Sequence, residues 1–127
     1  MNMKEASNRT NVSADTIRYY ERIGLIPPIK RNKNGVRMID EEDIRWIEFS
    51  RQMRSAGLSI ESLIEYLALF RSGDDTISTR VELLKDQREE LQYRMNQIKN
   101  ALERLDYKIN NYQSHVVPKE KELKDFN

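Results

Sequence analysis

The segment from Val12 to Pro28 brings basic and aromatic side chains together on what is predicted to be a short helix. Thr16, Arg18 and Tyr19 follow a serine suited to begin a helix and precede a glycine and two prolines suited to end it. Such a helix fits the major groove of DNA, where these side chains meet base edges and phosphates. The pattern therefore predicts DNA contacts at these three residues. The alternative is an ordinary surface helix whose arginines are only solvated.

A second basic group lies around a tight turn farther along the chain. Asn34-Gly35 is a strong hairpin signal, and the segments around it carry Lys30, Arg31, Lys33 and Arg37. The hairpin would form the wing of a winged helix-turn-helix, with its basic side chains placed to contact phosphates. Lysines also keep an exposed hairpin edge from pairing with other chains, so a role in solubility alone stays open.

The charged residues are distributed unevenly along a chain of 127 residues whose net charge is only +1. Residues 1–39 contain eight lysines and arginines against three acidic residues, whereas residues 40–127 contain fourteen against eighteen. This asymmetry is expected when only one part of a protein meets a polyanion. The length is typical of one small domain, and the high charged fraction favours an additional solvated helix.

The residue types needed for catalysis or metal binding are largely missing. The chain has no cysteine and one histidine, His115, which excludes disulfides, thiolate metal sites and thiol chemistry. It has no glycine-rich phosphate loop, no signal peptide and no apolar run long enough to span a bilayer. We therefore expect a soluble cytoplasmic protein that is not an enzyme, contacts no membrane and needs no metal or cofactor.

Capping signals divide the sequence into a mainly α-helical fold with a winged helix-turn-helix head. Ser13, Asp40 and Ser59 each precede an amphipathic segment and are good N-terminal caps. In the segment after Ser59, apolar residues recur every three or four positions and predict one buried stripe that ends at Phe70. We assign residues 1–72 to the DNA-binding head.

A heptad pattern begins after this head and continues to Tyr112. Ten of eleven positions that alternate steps of four and three residues are apolar or aromatic, and Arg88 is the exception. Because the chain offers no second helix of this length, the seam predicts a coiled coil between two copies. Arg88 would either set the register through an acidic residue of the second copy or extend into solvent. The residues assigned to the dimer seam are Val81, Leu84, Leu91, Met95, Ile98, Leu102, Leu105 and Ile109.

The chain therefore divides into three parts. The head is followed by a dimerisation helix over residues 76–113 and by a short polar tail over residues 114–127. Pro118 and the alternating lysines and glutamates indicate that this tail is largely disordered, with His115 exposed.

These motifs and their order resemble the MerR family of bacterial transcription regulators. The resemblance rests on residues 11–21, 23–28, 34–37, 40–44 and 56–60, which follow the family's order and spacing. It implies a nucleoid-associated homodimer whose antiparallel coil places two recognition helices on a pseudo-palindromic operator in double-stranded DNA. It also implies a promoter with an overlong spacer, which the regulator distorts so that RNA polymerase meets both promoter elements.

Further residues, among them Tyr66, Gly73 and Arg80, resemble those of a small subgroup associated with reactive aldehyde and thiol stress. Members that sense electrophiles carry a cysteine just before a Met-Arg pair, and Gln52 stands in that place here. Sensing by thiol alkylation is thus excluded. Aromatic residues near this position either fill the core or line a ligand site. This possible effector region consists of Trp46, Phe49, Gln52, Tyr66 and Phe70.

Two other functions are compatible with the same residues. An architectural or chromosome-segregation protein would use this head at many sites and respond to no inducer. A coiled-coil interaction protein would present the basic head to an acidic partner protein, although the pairing of a wing with a recognition helix counts against it. The sequence does not identify an inducer, the target genes or the sign of regulation.

Overall fold

Most of the chain is helical in this computed structural model, which describes residues 1–112, 114 and 117–125. The expected mainly α fold is confirmed, and the chain divides into two compact units, Met1–Leu91 and Gln92–Asn127. The helices are α1 (Met3–Thr10), α2 (Ala14–Ile23), α3 (Glu41–Ser55), α4 (Ile60–Ser72), a 3₁₀ turn (Asp74–Thr76), α5 (Ile77–Asn110) and α6 (Val117–Asp125).

The caps predicted from the sequence begin three of these helices. Ser13 Oγ accepts a hydrogen bond from the N–H of Thr16 at 3.1 Å, and Ser59 caps α4 in the same way. Asp40 accepts from the N–H of Asp43 at 2.8 Å, and the Asp43 carboxylate accepts from the N–H of Asp40 at 3.1 Å. These bonds satisfy N–H groups that a helix leaves unpaired, so they determine where α2, α3 and α4 begin.

Helices α1 and α2 form a helix-turn-helix around Asn11, whose φ of 58° is left-handed. Asparagine tolerates this conformation, so the chain reverses here without a glycine. Val12 and Ile17 follow the turn and are buried. They belong to a core cluster formed by Ala6, Val12, Ile17, Ile26, Ile29, Ile39, Ile44 and Ile47.

A second core cluster extends the head farther along the chain than expected. Leu91 of α5 packs against this cluster, and the first compact unit accordingly ends at Leu91 rather than near residue 72. Leu83, Gln87 and Leu91 are four residues apart, which places them on one face of α5, and this face is the more buried one. Leu91 thus contacts the head within one chain, and its assignment to the dimer seam stays a prediction. The buried residues of the second cluster are Leu25, Leu58 and Leu63.

The predicted wing is a short hairpin with one antiparallel β-bridge and no strand within the described residues. The N–H of Gly35 donates to the Asn32 carbonyl at 2.9 Å, and the N–H of Asn32 donates to the Val36 carbonyl at 2.9 Å. Gly35 has a φ of 80°, whereas Asn34 does not have a positive φ. The loop is therefore a three-residue turn that ends in a left-handed glycine, not a two-residue Asn-Gly turn.

The predicted seam of α5 is exposed in the single chain. Ile98 is 62% exposed and Leu102 is 55% exposed, although both are large apolar residues. Phe70, predicted to be in the buried stripe of α4, is also largely exposed, because Leu63 and Leu67 face the core and Phe70 lies beyond them. The other exposed seam residues are Val81, Leu84, Met95, Leu105 and Ile109.

Residues 117–125, expected to lie in a largely disordered tail, form α6 instead. Pro118 is the second residue of this helix, where a missing N–H breaks no intrahelical bond. Lys119 Nζ lies 3.7 Å from Oε2 of Glu122, which follows one helical turn later. Ion pairs at this spacing favour a helix. His115 lies outside the described residues.

Candidate nucleic-acid interface

The three predicted contacts of α2 lie on or beside its exposed face. Arg18 is about half exposed, and its Nη1 donates to Asp15 at 3.0 Å. Tyr19 is exposed, and the Arg22 guanidinium lies 5.3 Å from its ring centroid. Thr16 is half-buried one turn before these residues. Because exposed ion pairs contribute little stability, Arg18 can exchange Asp15 for a phosphate or a base at small cost.

A cleft of about 210 Å³ lies between α2 and the wing, and three arginines line it. Arg18 comes from α2, whereas Arg31 and Arg37 come from the two sides of the wing. Met3 and Val36 are apolar members of its wall, and no carboxylate lines it. Three guanidinium groups around one cleft create a positive potential, and each can form paired hydrogen bonds with phosphate oxygens.

Arg37 also holds the wing against α2. Its Nε donates to Glu21 Oε1 at 2.8 Å, and the two side chains are only 24% and 15% exposed. The other Glu21 oxygen accepts from the N–H of Ile29 at 2.6 Å, at the start of the wing. Glu21 therefore connects α2 to both sides of the hairpin. Sequence reasoning assigned Arg37 to DNA and overlooked Glu21, because their pairing depends on the tertiary fold.

The other basic residues of the wing differ in their surroundings. Arg31 Nη1 donates to the Gly35 carbonyl at 2.7 Å, which fastens the loop. Lys30 Nζ lies 3.6 Å from Asp40 Oδ2, and the Lys30 side chain is highly exposed. Lys33 lies at the tip of the loop, is exposed, and makes no ion pair within the described part of the chain. Of the four, Lys33 has the fewest interactions to give up when it meets a phosphate.

Two further arginines beside α2 were not predicted. Arg51 and Arg54, on the last turns of α3, line a cleft of about 440 Å³ together with Thr16 and Tyr19. Arg54 Nη1 donates to the Leu58 carbonyl at 2.6 Å, whereas Arg51 is exposed. The three-residue spacing of these arginines puts them on one helix face, but only the fold shows that this face lies beside α2.

The predicted effector region is partly assembled. Trp46 contacts Phe49, Tyr66 and Phe70, with ring centroids 6.5, 6.1 and 5.2 Å apart. Trp46 also packs against the first core cluster, which is one of the two alternatives that the sequence left open for these aromatic residues. Gln52 is exposed and does not line the cleft beside these rings. The aromatic residues form one group, and Gln52 lies apart from them.

The described residues form neither a metal-binding cluster nor a membrane-spanning helix. Among the described residues, no group of three or more histidines and carboxylates is arranged to hold a metal ion. None of the described helices is both long and apolar enough to cross a bilayer.

Comparison with known proteins defines the class of this winged helix-turn-helix chain. Residues 1–69 match the model of the MerR HTH family of regulatory proteins. The chain therefore belongs to the MerR family, whose members are DNA-binding transcription regulators and not enzymes.

Individual relatives place it among short members of the family. It is 54% identical over 91 residues to the HTH-type transcriptional regulator AdhR of Bacillus subtilis strain 168, and the match spans 72% of this chain and 65% of that protein. A crystal structure of a MerR family regulator from Listeria monocytogenes is 64% identical, with a TM-score of 0.88, covering 100% of this chain and 96% of that one. HiNmlR, a MerR family regulator lacking the sensor domain and solved bound to promoter DNA, is 27% identical with a TM-score of 0.80, over 91% and 92% of the two chains.

Proposed function

We propose that the protein is a homodimeric transcription regulator that binds a pseudo-palindromic operator in bacterial DNA. The cleft lined by Arg18, Arg31 and Arg37 is the observation that carries this proposal. One arginine of the recognition helix and two arginines of the wing line this cleft, which suits contact with one stretch of DNA backbone. The similarity to a regulator solved on promoter DNA supports the same assignment.

Two copies of the chain explain the exposed seam of α5. Leucine, isoleucine and methionine side chains recur along it at heptad spacing and are more than one third exposed in the single chain. Pairing two α5 helices in antiparallel orientation would bury these side chains and place one head at each end. Two heads would then meet successive major grooves on one face of the duplex.

The proposed mechanism is distortion of the DNA between the two half-sites. The promoter has an overlong spacer, and kinking and untwisting that spacer would bring both promoter elements into line for RNA polymerase. Bending a short duplex costs about 1–6 kcal/mol, which contacts at the two half-sites would offset. The protein acts in the bacterial cytoplasm at the nucleoid under this proposal.

The test separates the base contact from the phosphate contacts. Arg18→Ala should lower operator affinity by about 1–3 kcal/mol and relax sequence preference, because it removes a group placed for base edges. Lys33→Ala should weaken binding to all DNA sequences alike and reduce the slope of log K against log salt concentration by about one. Both are measured by fluorescence anisotropy at several salt concentrations.

Lys99→Ala is the matched control, since Lys99 is an exposed lysine of α5 in the second compact unit. The proposal fails if Arg18→Ala and Lys33→Ala both bind operator DNA like Lys99→Ala. Genome-wide binding of the wild type then distinguishes a regulator at few promoters from an architectural protein with broad coverage.

A further inference from the structure

Three aromatic rings of α3 and α4 form a corner on the surface of the head. The ring planes of Trp46 and Phe49 meet at 90°, those of Trp46 and Tyr66 at 50°, and those of Phe49 and Tyr66 at 40°. The centroids of the three pairs are 6.5, 6.1 and 5.9 Å apart, so the rings surround a space rather than stack. The cleft beside them measures about 180 Å³ and is open to solvent.

An arginine of the chain already lies against Phe70, an aromatic ring that neighbours this corner. Arg80 lies with its guanidinium carbon 5.4 Å from the centroid of Phe70, and Phe70 contacts Trp46. Ring faces carry partial negative charge, so they attract cations that shed part of their water. The guanidinium on Phe70 shows that the local geometry satisfies this preference on one side of the cluster. On the other side of Trp46, the cation that lines the corner is Arg45, and its guanidinium is paired with Glu42.

Two charged side chains stand at the mouth of the corner. Glu42 and Arg45 both line the cleft, and Arg45 Nη2 donates to Glu42 Oε2 at 2.7 Å. Both side chains are more than 60% exposed, and the pair is one helical turn apart, so water competes strongly with it. A cation that enters the corner can therefore take the Glu42 carboxylate while the long Arg45 side chain turns into solvent.

We propose that this corner is a binding site for a small organic cation, of the methylated ammonium class. The rings supply three aromatic walls, the volume admits a group of a few methyls, and Glu42 supplies the counter-charge at the rim. The site is independent of the proposed DNA function, since it lies on α3 and α4 and can be tested without DNA.

Trp46 makes the test direct, because it is the only tryptophan of the chain and forms one wall of the site. Titration of the full-length protein with choline chloride should give a saturable change in tryptophan fluorescence, with a dissociation constant of about 1–10 mM. Sodium chloride at equal ionic strength should give none. The uncharged isostere 3,3-dimethylbutan-1-ol, which has carbon in place of the nitrogen, should bind at least about fivefold more weakly.

Matched variants identify the sign of the charge that the site prefers. Glu42→Gln should weaken choline binding by about two- to fivefold, and Arg45→Gln should strengthen it by a similar factor, because both are exposed and conservative changes. Tyr66→Leu removes one wall and should weaken binding by about tenfold. Tyr93→Leu changes a tyrosine of α5 that is 64% exposed, and it should leave the titration unchanged.

Three outcomes would overturn the proposal. Equal binding of choline and its uncharged isostere would show a merely apolar surface. Effects of Glu42→Gln and Arg45→Gln opposite to those expected would show a preference for anions. A titration without saturation, or one altered as much by Tyr93→Leu as by Tyr66→Leu, would show that the corner binds no such ligand.

Discussion

Glu21 is the residue on which the geometry of the proposed DNA-binding face depends. One carboxylate oxygen accepts from Arg37 of the wing and the other from the backbone N–H of Ile29. An acidic side chain would normally weaken binding to a polyanion, so its place between two DNA-facing elements needs a structural reason. Its two hydrogen bonds supply that reason, since they join the Arg37 side chain and the backbone of Ile29 to α2.

The substitution Glu21→Ala therefore distinguishes two interpretations. A carboxylate that positions the wing should weaken DNA binding when it is lost, whereas one that only repels DNA should strengthen binding when it is lost. If Glu21 positions the wing, Glu21→Ala should lower operator affinity about fivefold, although it removes a negative charge from the face. It should also lower the free energy of unfolding by about 2 kcal/mol, because two hydrogen bonds are lost and Arg37 is left half-buried without its partner. Anisotropy titration and urea denaturation measure the two effects.

Glu65→Ala is the control, since Glu65 is an exposed glutamate in the middle of α4. It should leave both the operator affinity and the free energy of unfolding nearly unchanged. A gain in DNA affinity for Glu21→Ala would show that Arg37 reaches DNA without the help of Glu21.

At the scale of the elements, α3 begins at a pair of carboxylates with opposite behaviour. The N–H of Asp43 donates to Asp40 and holds the pKa of Asp40 below its usual value. Burial raises the pKa of Asp43, and the nearby Asp40 charge adds to this effect. Ionised Asp40 thus stabilises the fold, whereas ionisation of Asp43 opposes it.

Asp40→Ala should lower the free energy of unfolding by about 1 kcal/mol at neutral pH, the usual loss when an N-cap residue is removed. The folded-state pKa of Asp40 is depressed, so its contribution is complete above the ordinary pKa of about 3.9. It is lost as the pH falls through the lowered value, and the difference between wild type and Asp40→Ala should shrink there. Urea denaturation at several pH values between neutral and acidic measures this difference.

Asp40→Asn separates the hydrogen bond from the charge, because asparagine also caps helices but does not titrate. Its stability relative to Asp40→Ala should stay nearly constant across the same range of pH. If the difference in unfolding free energy between wild type and Asp40→Ala is also constant with pH, the charge of Asp40 does not contribute to stability.

The contact of α5 with the head contains one unfavourable group. Gln87 lies between Leu83 and Leu91 on the buried face of the helix, and its Oε1 has no hydrogen-bond partner in the described structure. A buried acceptor without a partner costs about 1–3 kcal/mol relative to a satisfied one. Gln87→Met keeps the length of the side chain and removes the polar atom, so it should raise the free energy of unfolding by about 1 kcal/mol.

Gln92→Met provides the comparison, since Gln92 is an exposed glutamine of the same helix. It should be close to neutral in urea denaturation at the same protein concentration. A loss of stability in Gln87→Met would show that the amide has a partner in the assembled protein.

At the scale of the whole molecule, the exposed seam of α5 supports the proposed pairing of two copies. Leu102→Asp places a charge among side chains that would be buried between two helices, so it should convert dimers to monomers. Sedimentation at micromolar protein concentration measures the change. Asn100→Asp introduces the same charge two residues away from the seam position and should leave the dimer intact. A wild-type protein that sediments as a monomer at this concentration would contradict the proposed assembly.

Local signals in the sequence determined most of the helical architecture. Ser13, Asp40 and Ser59 each cap the helix predicted for them, and Asn11 adopts the left-handed turn. These features depend on a few neighbouring residues, so they can be identified without knowledge of the fold. The family could be recognised for the same reason, since its motifs are short segments in a constant order.

Interactions between distant segments were decided only by the tertiary structure. The pairing of Glu21 with Arg37, and the approach of Arg51 to α2, join residues that no sequence period relates. The contact of Leu91 with the head was also not predicted, because an apolar residue at a helical spacing fits either of two neighbouring faces. Which face meets the head depends on how α5 packs against α4 and α2. That packing minimises exposed apolar surface over the whole head, and a local pattern contains no information about it.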